Sequence, residues 1–204
     1  LGSNLLMVRA GARGMSGVAA KPFSLDDAKA IRQQVNHLKA IAPSASKSTT
    51  AIFGNKNWSS TITGVTNAYF AAANWVIREG RIFNDAELRS GTMSCLIGNT
   101  VWKELFAEQP ALGSKIRLQN LSCIVIGVLK AKGQSAVGRD QDDTIIMPLR
   151  TFQRRIAGNQ DVGIILVSVA EGFSTEKAQK QIQQLLRDRR HIANNEDDDF
   201  FILD

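Results

Sequence analysis

Two stretches, one near each end of the chain, repeat the same alternation of apolar and polar positions. The first reads NLLMVRA, a Gly-rich linker, then PFSLDDAKAIRQQVNHLKAIAPS; the second reads GIILVSV, a short turn, then GFSTEKAQKQIQQLLRDRRHIANN and FFILD. Each predicts an apolar strand, a Phe-Ser start signal, an amphipathic helix and a return to extended structure, a βαβ-type unit occurring twice. In the first helix Leu25, Ala28, Ile31, Val35 and Leu38 recur at spacings of three and four, which places them on one face. Ser24 is its expected N-cap, with Asp27 three residues on to complete a capping box. In the second, Ala178, Ile182, Leu185 and Leu186 form the stripe and Ser174 the cap. Phe23 and Phe173 precede the two caps, where a hydrophobic staple sits.

The middle has a different texture. SASKSTTAIFG and WSSTITGVT alternate β-branched with small polar residues, as strands do. TNAYFAAANW predicts a short helix, since Ala is the best helix former. SCLIG predicts a buried strand and NTVWKELF a helix with Val101, Leu105 and Phe106 inward. KIRLQ and SCIVIGVL, split at Asn120-Leu121, predict a hairpin, and TIIMPL a further strand. The simplest assembly is an α+β protein: one subdomain built from both chain ends, with a β-rich subdomain inserted between them. If both ends share a sheet, the termini emerge together. That suits a domain inserted into a parent protein, for instance as a large loop joining two membrane helices. The opening on Leu1 rather than Met agrees with a chain that was processed or cut out of something longer.

Composition changes this picture little. At 204 residues, 44% hydrophobic and 22% charged, the chain is an ordinary globular one. The formal charge of +6 spreads 25 Lys and Arg among 19 acids, without the interleaved aromatics that base stacking needs, so nucleic acid is not the expected partner. No apolar run reaches the roughly 18 residues of a membrane-spanning helix. Cys95 and Cys123 lie in apolar runs, as buried thiols or as a disulfide. Together with His37 and His191 they show no zinc-ligand spacing, and both histidines are expected to be solvated. No Gly-x-x-x-x-Gly-Lys-Ser/Thr phosphate loop occurs and no Gly-x-Ser-x-Gly elbow, so neither a nucleotide site nor a serine triad is expected.

GVTNAYF, REGRIFNDAE, CLIGNTVWKELF, LGSKIRLQNLSCIVIGVL, KGQSAVGRDQDD and MPLRTFQRRIAG follow one another in the order of a known family. In that order and spacing the chain resembles the periplasmic core domain of MacB-type ABC transporter permeases, which lies between the first and second transmembrane helices. The resemblance covers nearly the whole chain. It implies a porter-like subdomain, about residues 1–78 and 159–204, and an inserted β-rich subdomain, about 79–158. It also implies a location at the inner membrane, on its periplasmic face, for a domain that is itself soluble and not an enzyme. The implied function is efflux of a drug, peptide or toxin. ATP and Mg would act on the ATPase domain of the parent transporter, and no cofactor is implied within this segment. Implied partners are a periplasmic adaptor, an outer-membrane exit duct and a second copy of the permease. The periplasmic domain of a lipoprotein-releasing permease is the alternative within transport; a free-standing binding protein or hydrolase is the alternative outside it.

Three polar features remain. Asn194 to Asp199 has carboxylates without the EF-hand rhythm and is expected to form a turn before the last strand. Arg187, Arg189 and Arg190 end the preceding helix, where positive charge suits the macrodipole and could meet lipid headgroups. KGQSAVGRDQDD sets Gly133, Ser135 and Gly138 before Asp140, Asp142 and Asp143 with no nucleophile or metal partner nearby, so the acids are expected to cap turns. A connection this long is usually functional. Gln134 to Asp142 is therefore expected to present a polar surface, through Gln134, Arg139 and Gln141, to the adaptor or to a neighbouring permease copy. Trp102 is expected in the core, and Trp58, flanked by Asn57, Ser59 and Ser60, as an exposed partner contact.

Overall fold

A computed structural model describes residues 4–12, 20–90 and 93–204. The Gly-rich linker expected after the first strand falls mostly outside these residues. Along the chain run β1 (Leu5–Ala10), α1 (Leu25–Gln34), β2 (Leu38–Phe53), β3 (Lys56–Val65), α2 (Ala68–Ala72) and β4 (Ile77–Gly80). There follow α3 (Asp85–Ser90), β5 (Ser94–Ile97), α4 (Asn99–Phe106), β6 (Lys115–Leu118), β7 (Leu121–Leu129) and β8 (Thr144–Pro148). A short helix α5 (Leu149–Thr151) continues as a π-helix over Phe152–Ala157, and β9 (Ile164–Val169), α6 (Thr175–Arg189) and β10 (Phe200–Leu203) complete the chain.

The two ends of the chain interleave. β1 lies between β10 and β9, antiparallel to both, and β9 is antiparallel to β2. Thus β1 and β2, joined through α1, are parallel with β9 between them. Likewise β9 and β10, joined through α6, are parallel with β1 between them. Each is a split βαβ unit. Leu6, Val8, Ile41, Ile165 and Val167 turn one face toward α1 and α6, which supply Ala28, Ile31, Ala178, Ile182 and Leu186. The opposite face, with Ala42 and Leu166, is covered by Ala72 of α2.

Both caps form. The Ser24 hydroxyl accepts the Asp27 N–H at 3.2 Å while the Asp27 carboxylate accepts the Ser24 N–H at 2.9 Å. Ser174 accepts the Lys177 N–H at 3.2 Å. The expected helical stripe overruns, however. α1 stops at Gln34, Val35 is extended though buried, and Leu38 already belongs to β2. Leu25 is 43% exposed because the first turn of α1 projects beside an open cleft. Of the two staples, Phe23 is buried, but Phe173 is 47% exposed and stacks on His37 with ring centroids 3.7 Å apart.

The remaining strands form a closed circuit. β2 and β3 make a long antiparallel hairpin from Ser44↔Val65 to Phe53↔Lys56. β3 pairs in parallel with β8, β8 antiparallel with β5, β5 in parallel with β7, and β7 antiparallel with β6. β6 returns to β2 at Ala51↔Leu118, so this ring leaves no edge among its members. β4 lies outside it, on β7. Val101, Trp102, Leu105 and Phe106 of α4 pack into the ring's core beside Ile62, Ile97, Ile116, Leu118 and Ile145. Leu118 pairs with Leu121, so the β6–β7 turn is Gln119-Asn120, one position earlier than the pattern suggested. Burial of Ile116, Leu118 and Cys123 on one face fixes that register, and Gln119 takes φ 57° to permit it. Cys95 and Cys123 are unbonded thiols buried in the same core, where burial and the neighbouring Cys95 push the Cys123 pKa up.

Candidate partner-binding loop

The segment between β7 and β8 folds back on itself. Gln134 and Asp140 form an antiparallel bridge; within it the Ser135 N–H donates to the Arg139 carbonyl at 2.7 Å and the Gly138 N–H to the Ser135 carbonyl at 2.9 Å. Gly138, at φ 81°, makes the reversal that a side chain would resist. Val137 at the tip is 85% exposed.

The root of this hairpin is fixed by its three acids, each with its own task. Asp142 is buried, and its carboxylate accepts the Lys132 N–H at 2.8 Å and the Gly133 N–H at 2.9 Å, which closes the base. Asp140 accepts the Asp142 N–H at 2.9 Å and the Thr100 hydroxyl at 2.6 Å. Asp143 accepts Trp58 Nε1–H at 2.9 Å and the Ser60 hydroxyl at 2.7 Å. The acids therefore terminate backbone and side-chain donors, which for the buried Asp142 is required. No group of three His, Cys, Asp or Glu among the described residues could hold a metal. Gly98, just before α4, lets the root come close: a Cβ there would lie 2.1 Å from the Asp142 carbonyl oxygen. Lys132 closes the other side. Its ammonium bonds the Ala73 carbonyl and sits 3.8 Å over the Trp75 ring; burial pushes its pKa down to about 8 against the opposing pull of Asp142.

Of the residues expected to meet a partner, Gln134 and Arg139 are exposed on the hairpin and Gln141 is half-buried, its N–H bonded to the Gly133 carbonyl at 3.1 Å. Trp58 is elsewhere and differently used. It is half-buried against the ring core and tied to Asp143, a strut under the hairpin. Trp102 is buried, with the Arg78 guanidinium 4.0 Å over its ring. Sequence reading took Asp143 as a turn cap and gave Lys132 and Thr100 no role. Their partners lie 83, 85, 59 and 40 positions away, beyond any local signal.

The arginines at the end of α6 are all paired, with Arg190 buried, Arg187 half-buried and Arg189 exposed. Arg187 bonds Asp198 and the Ala193 carbonyl; Arg189 bonds Asp27 at 2.7 Å; Arg190, with its side chain buried, bonds Asp199 at 2.6 and 3.0 Å and the Lys21 carbonyl at 2.6 Å. Through Asp27, Asp198 and Asp199 they tie α6 to both chain ends, so these charges are already paired within the fold.

The profile of the MacB-like periplasmic core domain matches residues 1–185. The chain belongs to this family. It is 34% identical to the macrolide export ATP-binding/permease protein MacB of Bdellovibrio bacteriovorus, over 98% of this chain and 32% of that protein. It is 33% identical to the protein of the same name from Chlorobium phaeobacteroides, over 100% of this chain and 32% of that one. The chain thus spans about a third of the length of these curated relatives. In fold it resembles the crystal structure of the periplasmic region of MacB from Actinobacillus actinomycetemcomitans, with a TM-score of 0.80 and 21% identity, covering 98% of this chain and 88% of that one. The extracellular domain of the noncanonic ABC-type transporter YknZ from Gram-positive bacteria is also similar, at 0.77 and 19% identity, covering 98% and 100%. This MacB-like domain is therefore the periplasmic core of an ABC permease and not itself an ATPase domain. No described helix is long and apolar enough to cross a membrane.

Proposed function

We propose that this MacB-like domain transmits ATP-driven motion from the membrane to the periplasm and docks a periplasmic adaptor during export. Its relatives' names point to macrolides, and drugs, peptides or toxins are the substrate class. ATP and Mg act on an ATPase domain of the parent transporter. A second permease copy and an outer-membrane duct complete the assembly.

The observation that carries adaptor docking is the hairpin at 132–142: a root clamped by the buried Asp142 carboxylate and a polar, protruding rim tipped by Val137. A rigid base under exposed groups lowers the ordering cost of binding. Transmission is supported by β2, whose 16 residues extend about 50 Å. β2 starts at Leu38, opposite Val169, whose N–H bonds the Asn4 carbonyl, and Thr175 nearby bonds Asp204. Displacement applied where the first and last described strands meet thus enters the same sheet end, and β2 carries it from Ile41 in one core to Ala51 in the other.

Replacing Gln134, Arg139 and Gln141 together by Ala tests the docking. The expected result is an unchanged Tm, with weaker binding to the parent transporter's adaptor by surface plasmon resonance and reduced export. Intact binding would reduce the hairpin to a tether; a lowered Tm would make its polar groups structural.

A further inference from the structure

A cleft of about 600 Å³ opens between α1 and the π-helix. Its walls belong to different cores. α1 is anchored through Ala28 and Ile31 beside the strands from the chain ends, the π-helix through Phe152 and Ile156 in the ring. Lys29 stands on the first wall, Arg150 and Arg154 on the second. Among the described residues none of these three is in an ion pair, although Arg81, Arg187, Arg189 and Arg190 all are. Arg150 donates a long 3.5 Å bond to the Arg89 carbonyl. Among the described residues Asp26 is the one carboxylate in the lining, so cations outnumber it three to one.

The backbone that presents the arginines is unusual. The Gly158 N–H bonds the Gln153 carbonyl, five residues back, at 2.9 Å. Such widened turns are rare overall and are frequent at functional sites. Arg150 on α5 and Arg154 in the π-helix that continues it line the same wall of the cleft. Between them Gln153 is buried and donates to the Asp161 carbonyl at 3.2 Å, which fixes the segment flooring the cleft. Two guanidinium groups outside any ion pair among the described residues thus stand across the cleft from an ammonium.

We infer that this cleft binds a compact anion bearing carboxylate or phosphate groups, clamped between Lys29 and the Arg150–Arg154 pair. The volume is that of a small-molecule site. Guanidinium forks match planar carboxylate and phosphate oxygens in pairs. Among the described residues no aromatic lines the cleft, so they offer no stacking platform for a base. Because the two walls belong to different cores, an occupant ties those cores together.

The test titrates the purified domain at about 0.15 M monovalent salt, where the Debye length is about 8 Å, with inorganic phosphate, pyrophosphate and citrate, followed by calorimetry and thermal melting. At least one multivalent probe is expected to bind at millimolar or tighter concentration and to raise Tm, as any ligand selective for the folded state does. Arg154→Ala is expected to weaken that binding about tenfold or more and Arg150→Ala similarly. Both should leave the melting of the free domain unchanged. Lys115→Ala, an equal loss of charge on exposed β6, should change affinity less than about twofold, since removing a remote surface charge is largely screened. Equal losses from Lys115→Ala and Arg154→Ala would overturn the site in favour of diffuse attraction, as would the absence of any Tm shift at about 10 mM probe. Sedimentation with phosphatidylglycerol vesicles separates the sources. Co-sedimentation abolished by Arg154→Ala and displaced by pyrophosphate assigns the anion to a lipid headgroup, whereas binding of the soluble probes without vesicle binding assigns it to a free molecule.

Discussion

The half of the molecule built from the chain ends and the ring of strands beside it bury cores of similar make-up, yet they are closed by different means. In the first, segments far apart in sequence are drawn together by charge. Asp27 and Arg189 meet across 162 positions, and the buried Arg190 holds Asp199, Lys21 and Pro22 at once, with its guanidinium over the Phe23 ring. In the ring, closure is by backbone pairing: β6 joins β7 to β2, and the ion pairs there among the described residues, Arg81–Glu87 and Lys103–Glu108, span six and five positions. The difference follows from loop closure. Bringing the two ends of the chain together costs conformational entropy that local contacts cannot offset, so hydrogen-bonded charges at the join add both strength and selectivity. The ring also joins distant segments, β3 to β8 and β2 to β6, but there continuous backbone pairing around the circuit supplies the closure.

The sharpest way to break this comparison is to remove the strand on which the first half depends. Deleting Phe200–Leu203 removes the partner of Met7 to Ala10 and the buried Phe200, a loss of about 4 kcal/mol or more. Amide exchange should then lose protection at Leu6 and Val8 while Val125 and Ile145 keep theirs. Simultaneous loss at all four positions would show one cooperative unit with no distinction between the halves.

The converse comes from Leu105→Ala. This helix side chain is buried in the ring core, and its truncation is expected to cost about 3 kcal/mol. Protection should fall at Val125 and Ile145 before it falls at Val8.

A smaller effect separates the charges of the two halves by pH. Burial disfavours the Glu87 carboxylate, but the Arg81 guanidinium, the Asn84 N–H and the Ser94 hydroxyl outweigh it and hold its pKa at about 2. A carboxyl lowered from its ordinary 4.5 contributes stability that is complete above about 4.5 and is lost as pH falls toward 2. Glu87→Gln should therefore cost about 2 kcal/mol at pH 7 by denaturant melting, and the gap to the parent protein should close below pH about 2.5. A gap that persists unchanged to low pH would show that packing at this position, and not its charge, stabilises the ring.

Much of this was legible along the chain. The Ser24–Asp27 capping box spans three residues, and a local signal of that size survives folding. The repeated strand–helix pattern of the two ends and the alternation in the middle led to an α+β architecture, and the order of the middle motifs led to the family. The hairpin's exposed Gln134 and Arg139 were read from their setting among glycines and polar residues. What escaped were side chains whose surroundings come from elsewhere. Leu25 has the spacing of a buried residue but borders an open cleft, and Phe173 copies Phe23 in sequence yet stacks on His37. Trp58 looked exposed among polar neighbours until Asp143 closed on it, and the arginines of α6 looked solvated until both chain ends folded under them.

By itself the sequence determined the elements, their apolar faces and their caps, because period and capping follow from backbone geometry within a few residues. Only the tertiary structure decided the interleaving of the two ends, the return of β6 to β2 and the clamping of a polar hairpin by Asp142. Each of these depends on which distant segments pair, and that is chosen by the burial and hydrogen bonding of the whole sheet, for which no local pattern carries a signal.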